Sequence, residues 1–251
     1  MPADTQRQNG SVRALLVPAI TTLVVVGVLL SLGFWQLQRM DEKHRLIAVL
    51  NERLAAPPIP LAPSGQWPAT SARDEFRRVT FAARIDASNT AQVYSSGSGL
   101  RKDIARNGVW VFAPAMLTDG ASVVVNLGFV PEGQTVQVEA SAEPVMLTGY
   151  MRFPEQANWL TPPADLAKRM WFLRDHQGMA QALHWPGAGA AAPFYIDLEA
   201  PVPVSGLPKP GPLTVNLKDN HLQYAVTWFL LALAVSIAFL VWLRQQKRAR
   251  G

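Results

Sequence analysis

Two uncharged, apolar stretches stand near the ends of this 251-residue chain, and they constrain it more than anything between them. The first, ALLVPAITTLVVVGVLLSLGFWQLQ, runs for 25 residues between Arg13 and Arg39. As a helix rising 1.5 Å per residue, about 20 such residues cross a hydrocarbon core of roughly 30 Å. It outruns the apolar region of a signal peptide, and no A-x-A cleavage site follows, so it reads as an uncleaved signal anchor. The second, YAVTWFLLALAVSIAFLVWL, covers Tyr224 to Leu243 and stops at RQQKRAR.

Charge sets the direction of these spans. The net charge of +5 invites a nucleic-acid reading, but its position excludes one. Residues 1–13 hold Arg7, Arg13 and Asp4; residues 244–251 hold Arg244, Lys247, Arg248 and Arg250. Removing those six cations and one anion from totals of 23 and 18 leaves 17 of each sign. A neutral body carries no basic face for nucleic acid. The four cations after the second span face only Lys218 and Asp219 before it, which predicts a cytoplasmic C-terminus. Two crossings then place the N-terminus on the same side. The short N-terminus lacks the Arg- and Ser-rich pattern of a mitochondrial transit peptide.

The expected organisation is that of a bacterial plasma-membrane protein. A cytoplasmic N-terminus (1–13) leads to a first transmembrane helix (14–38). A periplasmic domain (39–220) follows, then a second transmembrane helix (221–243) and a basic cytoplasmic tail (244–251). The domain opens with RMDEKHRLIAVLNERLAA, where apolar residues recur at helical spacing until PPIPLAP ends the helix. FRRVTFAARI, TAQVYSS, GVWVFAPAML, ASVVVNLGFV, VQVEA, VMLTGYMRF and FYIDLEA read as strands, and a helix is expected around 172–183. Asp119-Gly120 marks one hairpin turn. Adjacent hairpins predict an α+β class: an antiparallel sheet or partial barrel between the two spans.

Catalytic patterns are missing. No P-loop, G-x-G-x-x-G after a strand, G-x-S-x-G or H-E-x-x-H occurs, and SSGSG at 95–99 reads as a loop. The absence of cysteine removes thiol catalysis, disulfides and zinc-thiolate sites. Asp41-Glu42 and Asp74-Glu75 read as solvated surface, and His44 as a solvated helix face. His176 and His184 read as surface or structural groups.

His221 stands apart. It lies three residues before the second uncharged stretch and shares a helical face with Tyr224, Ala225 and Trp228. An imidazole beside a small residue and aromatics can hold a flat apolar cofactor, and imidazole is the usual protein ligand to haem iron. The same residues also suit an interfacial aromatic belt. Near the corresponding boundary of the first span lie Gly33, Trp35, Gln36 and Gln38, where an amide would seek a partner on a neighbouring helix. Arg39 stands where it can pair a haem propionate or snorkel to the lipid surface.

These residues carry a family resemblance. GFWQLQRMDEKHRLI, GVWVFAPAML, VVVNLGFVPEG, LTGYMRFPE, MWFLRD, PFYIDLE and NHLQYAVTWF occur in one order across nearly the whole chain. Together they resemble the Surfeit locus protein 1 family of cytochrome c oxidase assembly factors. The family often has Asn-Arg-Gly-Trp-Val-Pro where this chain has Asn126 to Pro131, without the Arg and the Trp.

The resemblance implies a non-enzymatic assembly factor that transiently binds haem a and assists its insertion into subunit I of a haem-copper oxidase. Haem a synthase is a second candidate partner, beside membrane lipid. His221 is then the expected iron ligand, with Trp35, Gln36 and Arg39 as the facing wall and Tyr224 and Trp228 lining the pocket. Met40 is a candidate second ligand. A membrane-tethered scaffold that binds an oxidase subunit without haem is the alternative.

Overall fold

The computed structural model describes residues 3–140, 143–187, 192–214 and 219–248, with side chains from residue 16 onward. Lys218, Arg250 and the side chains of Asp4, Arg7 and Arg13 lie outside the described residues. The chain divides into two compact units, Met1–Ile47 with Lys218–Gly251, and Ala48–Leu217.

The first unit is built from two helices, α1 (Ala3–Ala55) and α3 (His221–Arg248). Both are long and apolar enough to cross a membrane. Their surfaces expose Leu16, Val17, Ile20, Leu23, Leu230 and Leu233, a pattern that water would oppose and lipid would accept. Both serine hydroxyls within these stretches are internally satisfied. Ser31 donates to the Gly27 carbonyl at 2.8 Å, and Ser236 to that of Ala232 at 2.8 Å, so neither demands water. Pro18 is accommodated inside α1.

The second unit is a barrel. It begins with the last residues of α1, which Pro57 and Pro58 end. The strands are β1 (Ile59–Pro60), β2 (Arg78–Ile85), β3 (Ala91–Ser95), β4 (Gly108–Leu117), β5 (Ser122–Pro131), β6 (Val145–Arg152), β7 (Met170–Trp171) and β8 (Tyr195–Ala200). The order β2-β6-β8-β5-β4 closes because the end of β4 pairs back onto β2, Ala83 opposite Leu117. The start of β4 instead pairs with β3, which carries β7 on its outer edge. The expected partial barrel is thus a closed five-stranded one. It is mixed rather than antiparallel, since β8 runs parallel to β5.

β4 and β5 are buried on both faces. Val111, Ala113, Ala115, Val123 and Val125 fill the barrel interior with Leu147, Phe194 and Ile196. Trp110, Phe112 and Val124 point the other way, into a second core with Trp171, Met179 and Trp185. That outer layer is covered by α2 (His176–Ala182). A bulge opposite Val111/Phe112 places Gly128 at φ 128° and reverses the alternation, so Leu127 and Val130 both face inward.

Three expectations change. VQVEA (136–140) alternates correctly, and Val136 and Val138 pack on the core, but it forms no strand. Both edges of β5 are already taken by β4 and β8. The helix expected around 172–183 starts only at His176, where Asp175 accepts from the Gly178 amide at 2.9 Å, because Met170–Trp171 is used as a strand. Asp74 and Glu75 are not solvated surface. Asp74 accepts from the Ser71 amide at 3.0 Å in a capping box, and Glu75 accepts from Arg152 Nε at 2.6 Å and the Phe153 amide at 3.0 Å.

His176 is fully buried, with Nε2 2.9 Å from the Ala192 carbonyl oxygen and, among the described residues, no partner for Nδ1. Burial holds its pKa below the ordinary value. The unfolded chain therefore takes up a proton near pH 6.5 while the folded one does not. Stability is full above that pH and falls as pH drops from 7 towards 5, by at most about 1.4 kcal/mol per unit from this group. Denaturation at stepped pH should show that slope, and His176→Gln should flatten it.

Candidate functional site

The pairing of α1 and α3 is set by small residues. Gly33 has no Cβ, and one placed there would lie 2.4 Å from Cε1 of Phe229, so the glycine admits that ring. Phe229 then meets Phe34 edge to face at 5.4 Å. Ala225 and Ala232 are buried on the facing stripe of α3. Close approach through small residues is the usual way apolar helices associate where lipid supplies no hydrophobic drive.

This packing brings together two of the residues singled out in the sequence. His221 Nδ1 lies 2.7 Å from Gln36 Oε1. An amide oxygen only accepts, so Nδ1 carries the proton and donates. In the neutral ring that leaves the lone pair on Nε2, which makes no hydrogen bond among the described residues. A neutral imidazole ligates a metal through such a nitrogen, and the bond at the other nitrogen aims the ring. Trp228 lies one helical turn beyond Tyr224 and Ala225. Its Nε1 is buried without a partner among the described residues, a donor available to a polar edge of a bound group.

Asp219 anchors the start of α3. Its Oδ1 accepts from the His221 amide at 2.9 Å, which holds the carboxyl below its ordinary pKa. Its Oδ2 lies 3.1 Å from His44 Nε2, within ion-pair distance but out of line for a hydrogen bond. His44 is therefore not simply a solvated face. The sequence signal for Asp219 was a carboxylate just ahead of the helix start, where the free amides of the first turn seek acceptors.

The remaining predicted wall is looser. Arg39 pairs with Glu42 at 2.6 Å, both more than half exposed. Trp35 and Tyr224 are about half exposed, and among the described residues no recorded ring contact joins them to His221. Asp41 pairs with Arg45 in solvent, as expected of a surface carboxylate. His184 sits at a positive φ of 54° just after α2, a structural place. Among the described residues no three His, Asp or Glu side chains group to hold a bare metal ion.

A second polar cluster, inside the barrel unit, escaped the sequence search. Asp197 on β8 accepts from Asn126 Nδ2 at 2.7 Å and from Arg152 Nη1 at 2.9 Å. Arg152 also reaches Glu75, and its guanidinium lies 4.7 Å from the Phe76 ring. Desolvation alone would lower the Arg152 pKa, but Asp197 and Glu75 outweigh it and raise the value. The signal was present: Asp in FYIDLE and Arg in TGYMRF interrupt strands that are otherwise buried.

Comparison with known proteins bears on the whole chain. The model of the SURF1 family matches residues 23–233. Surfeit locus protein 1 of Gallus gallus is 32% identical over 232 residues, covering 85% of this chain and 70% of its own. Its Homo sapiens counterpart is 31% identical over 223 residues, covering 82% and 70%. A SURF1-like protein of Rickettsia bellii is 24% identical over 233 residues, covering 90% of both chains. The family match reaches into both apolar helices and covers the barrel between them, and the chain belongs to the SURF1 family.

Proposed function

We propose that this chain is a membrane-anchored, non-enzymatic assembly factor for haem-copper terminal oxidases that holds haem a through His221 and hands it to subunit I. The observation that carries the reading is the 2.7 Å contact of His221 Nδ1 with Gln36, which leaves Nε2 free. The residues fit the cargo. The haem, when bound, supplies an iron that takes the Nε2 lone pair. Among the described residues Trp228 offers an unpaired N–H, and Arg39 offers a cation paired there with a solvated glutamate. Ligation by a single histidine suits a carrier, because one bond must break at delivery.

The proposed placement is a bacterial plasma membrane with both termini in the cytoplasm and the barrel in the periplasm. Lys247 and Arg248 in the last turn of α3 support that direction.

A haem-free scaffold is the second reading. Trp159 and Leu160 stand 90% and 67% exposed on a loop of the barrel unit, as expected of a contact surface for a protein partner. Purifying the intact chain in mild detergent from cells that make haem a separates the two. The carrier shows a haem a spectrum, and Gln36→Leu, which frees the ring to rotate, weakens retention about 10–100-fold. No pigment in any preparation selects the scaffold.

A further inference from the structure

His221 stands where a helix is weakest. It is the first residue of α3, and the Tyr224 amide opens the helical ladder by bonding the Asn220 carbonyl at 3.1 Å. The amides of residues 221–223 therefore have no acceptor within the helix, and a first turn in that state frays. The 2.7 Å bond from Nδ1 to Gln36 holds only the ring. It cannot aim Nε2 if the backbone beneath the ring moves, because a functional atom has to be held to within roughly 0.5 Å.

Asp219 supplies the missing hold. Its Oδ1 accepts from the His221 amide at 2.9 Å, a charge-assisted bond at the positive end of a helix. A cap needs no more than that, and asparagine or serine would provide it. The carboxylate goes further. Its Oδ2 is buried without a hydrogen bond among the described residues, and an unbonded anionic oxygen is costly to bury. What faces it is α1. His44 Nε2 lies 3.1 Å away, and the charge of Lys43 acts after the His221 amide in holding the carboxyl below its ordinary pKa. The carboxylate thus draws the start of α3 against the helix that also carries Gln36.

We propose that Asp219 is a positioning residue for His221, fixing the backbone at the start of α3 while Gln36 fixes the ring. It touches no cargo and acts through the imidazole. Its use in delivery rests on the haem-carrier reading, but the hold itself does not.

The test reads the haem-free chain first. The intact chain in detergent carries heavy nitrogen in its histidine rings, and the His221 resonances are identified by their loss in His221→Gln. In the parent they are expected at the positions of a ring protonated at Nδ1 alone. In Asp219→Ala they move to the average of a mobile ring that exchanges tautomers, and Asp219→Asn, which keeps an oxygen for the amide, recovers part of the change. Should the alanine variant fail to fold, Asp219→Glu, which keeps the charge but carries it past the amide, shows the same averaging. The chain loaded with haem a then releases it to excess apomyoglobin about 10-fold faster in Asp219→Ala than in the parent, with Asp219→Asn between them. Ring resonances that stay unchanged in the alanine or glutamate variant overturn the proposal, and so does an asparagine variant no better than alanine. A parent that holds no haem, with ring resonances that respond as expected, keeps the positioning role and removes the haem reading instead.

Discussion

Arg152→Met is expected to cost about 3–5 kcal/mol, enough to remove most of the folded barrel at 37 °C. The physical cause is what the substitution leaves behind. Asp197 is 5% exposed, and Arg152 is its closest cation at 2.9 Å. Glu75 loses the 2.6 Å bond that ties the segment before β2 to β6. Methionine fills the volume, so the loss comes from stranded carboxylates rather than from a cavity. Urea denaturation followed by far-ultraviolet circular dichroism reads the effect. A loss under 1 kcal/mol would show that water reaches Asp197. Asp197→Asn in the same background should recover part of the stability, because it removes the stranded charge.

Gly128→Ala is the second severe change, expected to cost about 3 kcal/mol or more. Two constraints coincide there. The φ of 128° is a region that only glycine enters freely, and an added Cβ would lie 2.3 Å from the Lys209 carbonyl carbon. The contact is backbone on backbone, because Phe129 and Lys209 exchange N–H to carbonyl bonds at 3.1 and 2.8 Å. No rotamer change can relieve it. Gly120→Ala is the control. Its φ is 82°, but nothing lies within 4 Å of the added carbon, so the expected cost is about 1 kcal/mol. Melting of both variants compares the two directly. Equal losses would mean that the approach of Lys209 contributes nothing.

Local rules made much of this molecule legible from its sequence. Uninterrupted apolarity placed the two long helices, and β-branched and aromatic composition between turn residues placed GVWVFAPAML on β4 to the residue. The closure of the barrel was not legible. It depends on β4 pairing with β3 along one half and β2 along the other, with a bulge between, and no local pattern encodes that. VQVEA shows the converse, a strand pattern with no free edge to join. For the candidate site, residue type and depth picked out both His221 and Gln36. Their contact, 185 positions apart in sequence, depends on how each helix is rotated, which the glycine and alanine stripe decides. The His44–Asp219 contact escaped because His44 lies in a charged run that reads as solvent-facing.

His221 Nε2 is proposed as the iron ligand of a haem carrier, and His221→Gly in the intact chain, purified from cells that make haem a, puts that role to the test. The haem a spectrum is expected to be lost, and added imidazole to restore it by filling the vacated ligand position. A haem a spectrum unchanged in His221→Gly without imidazole would remove His221 from the ligand role.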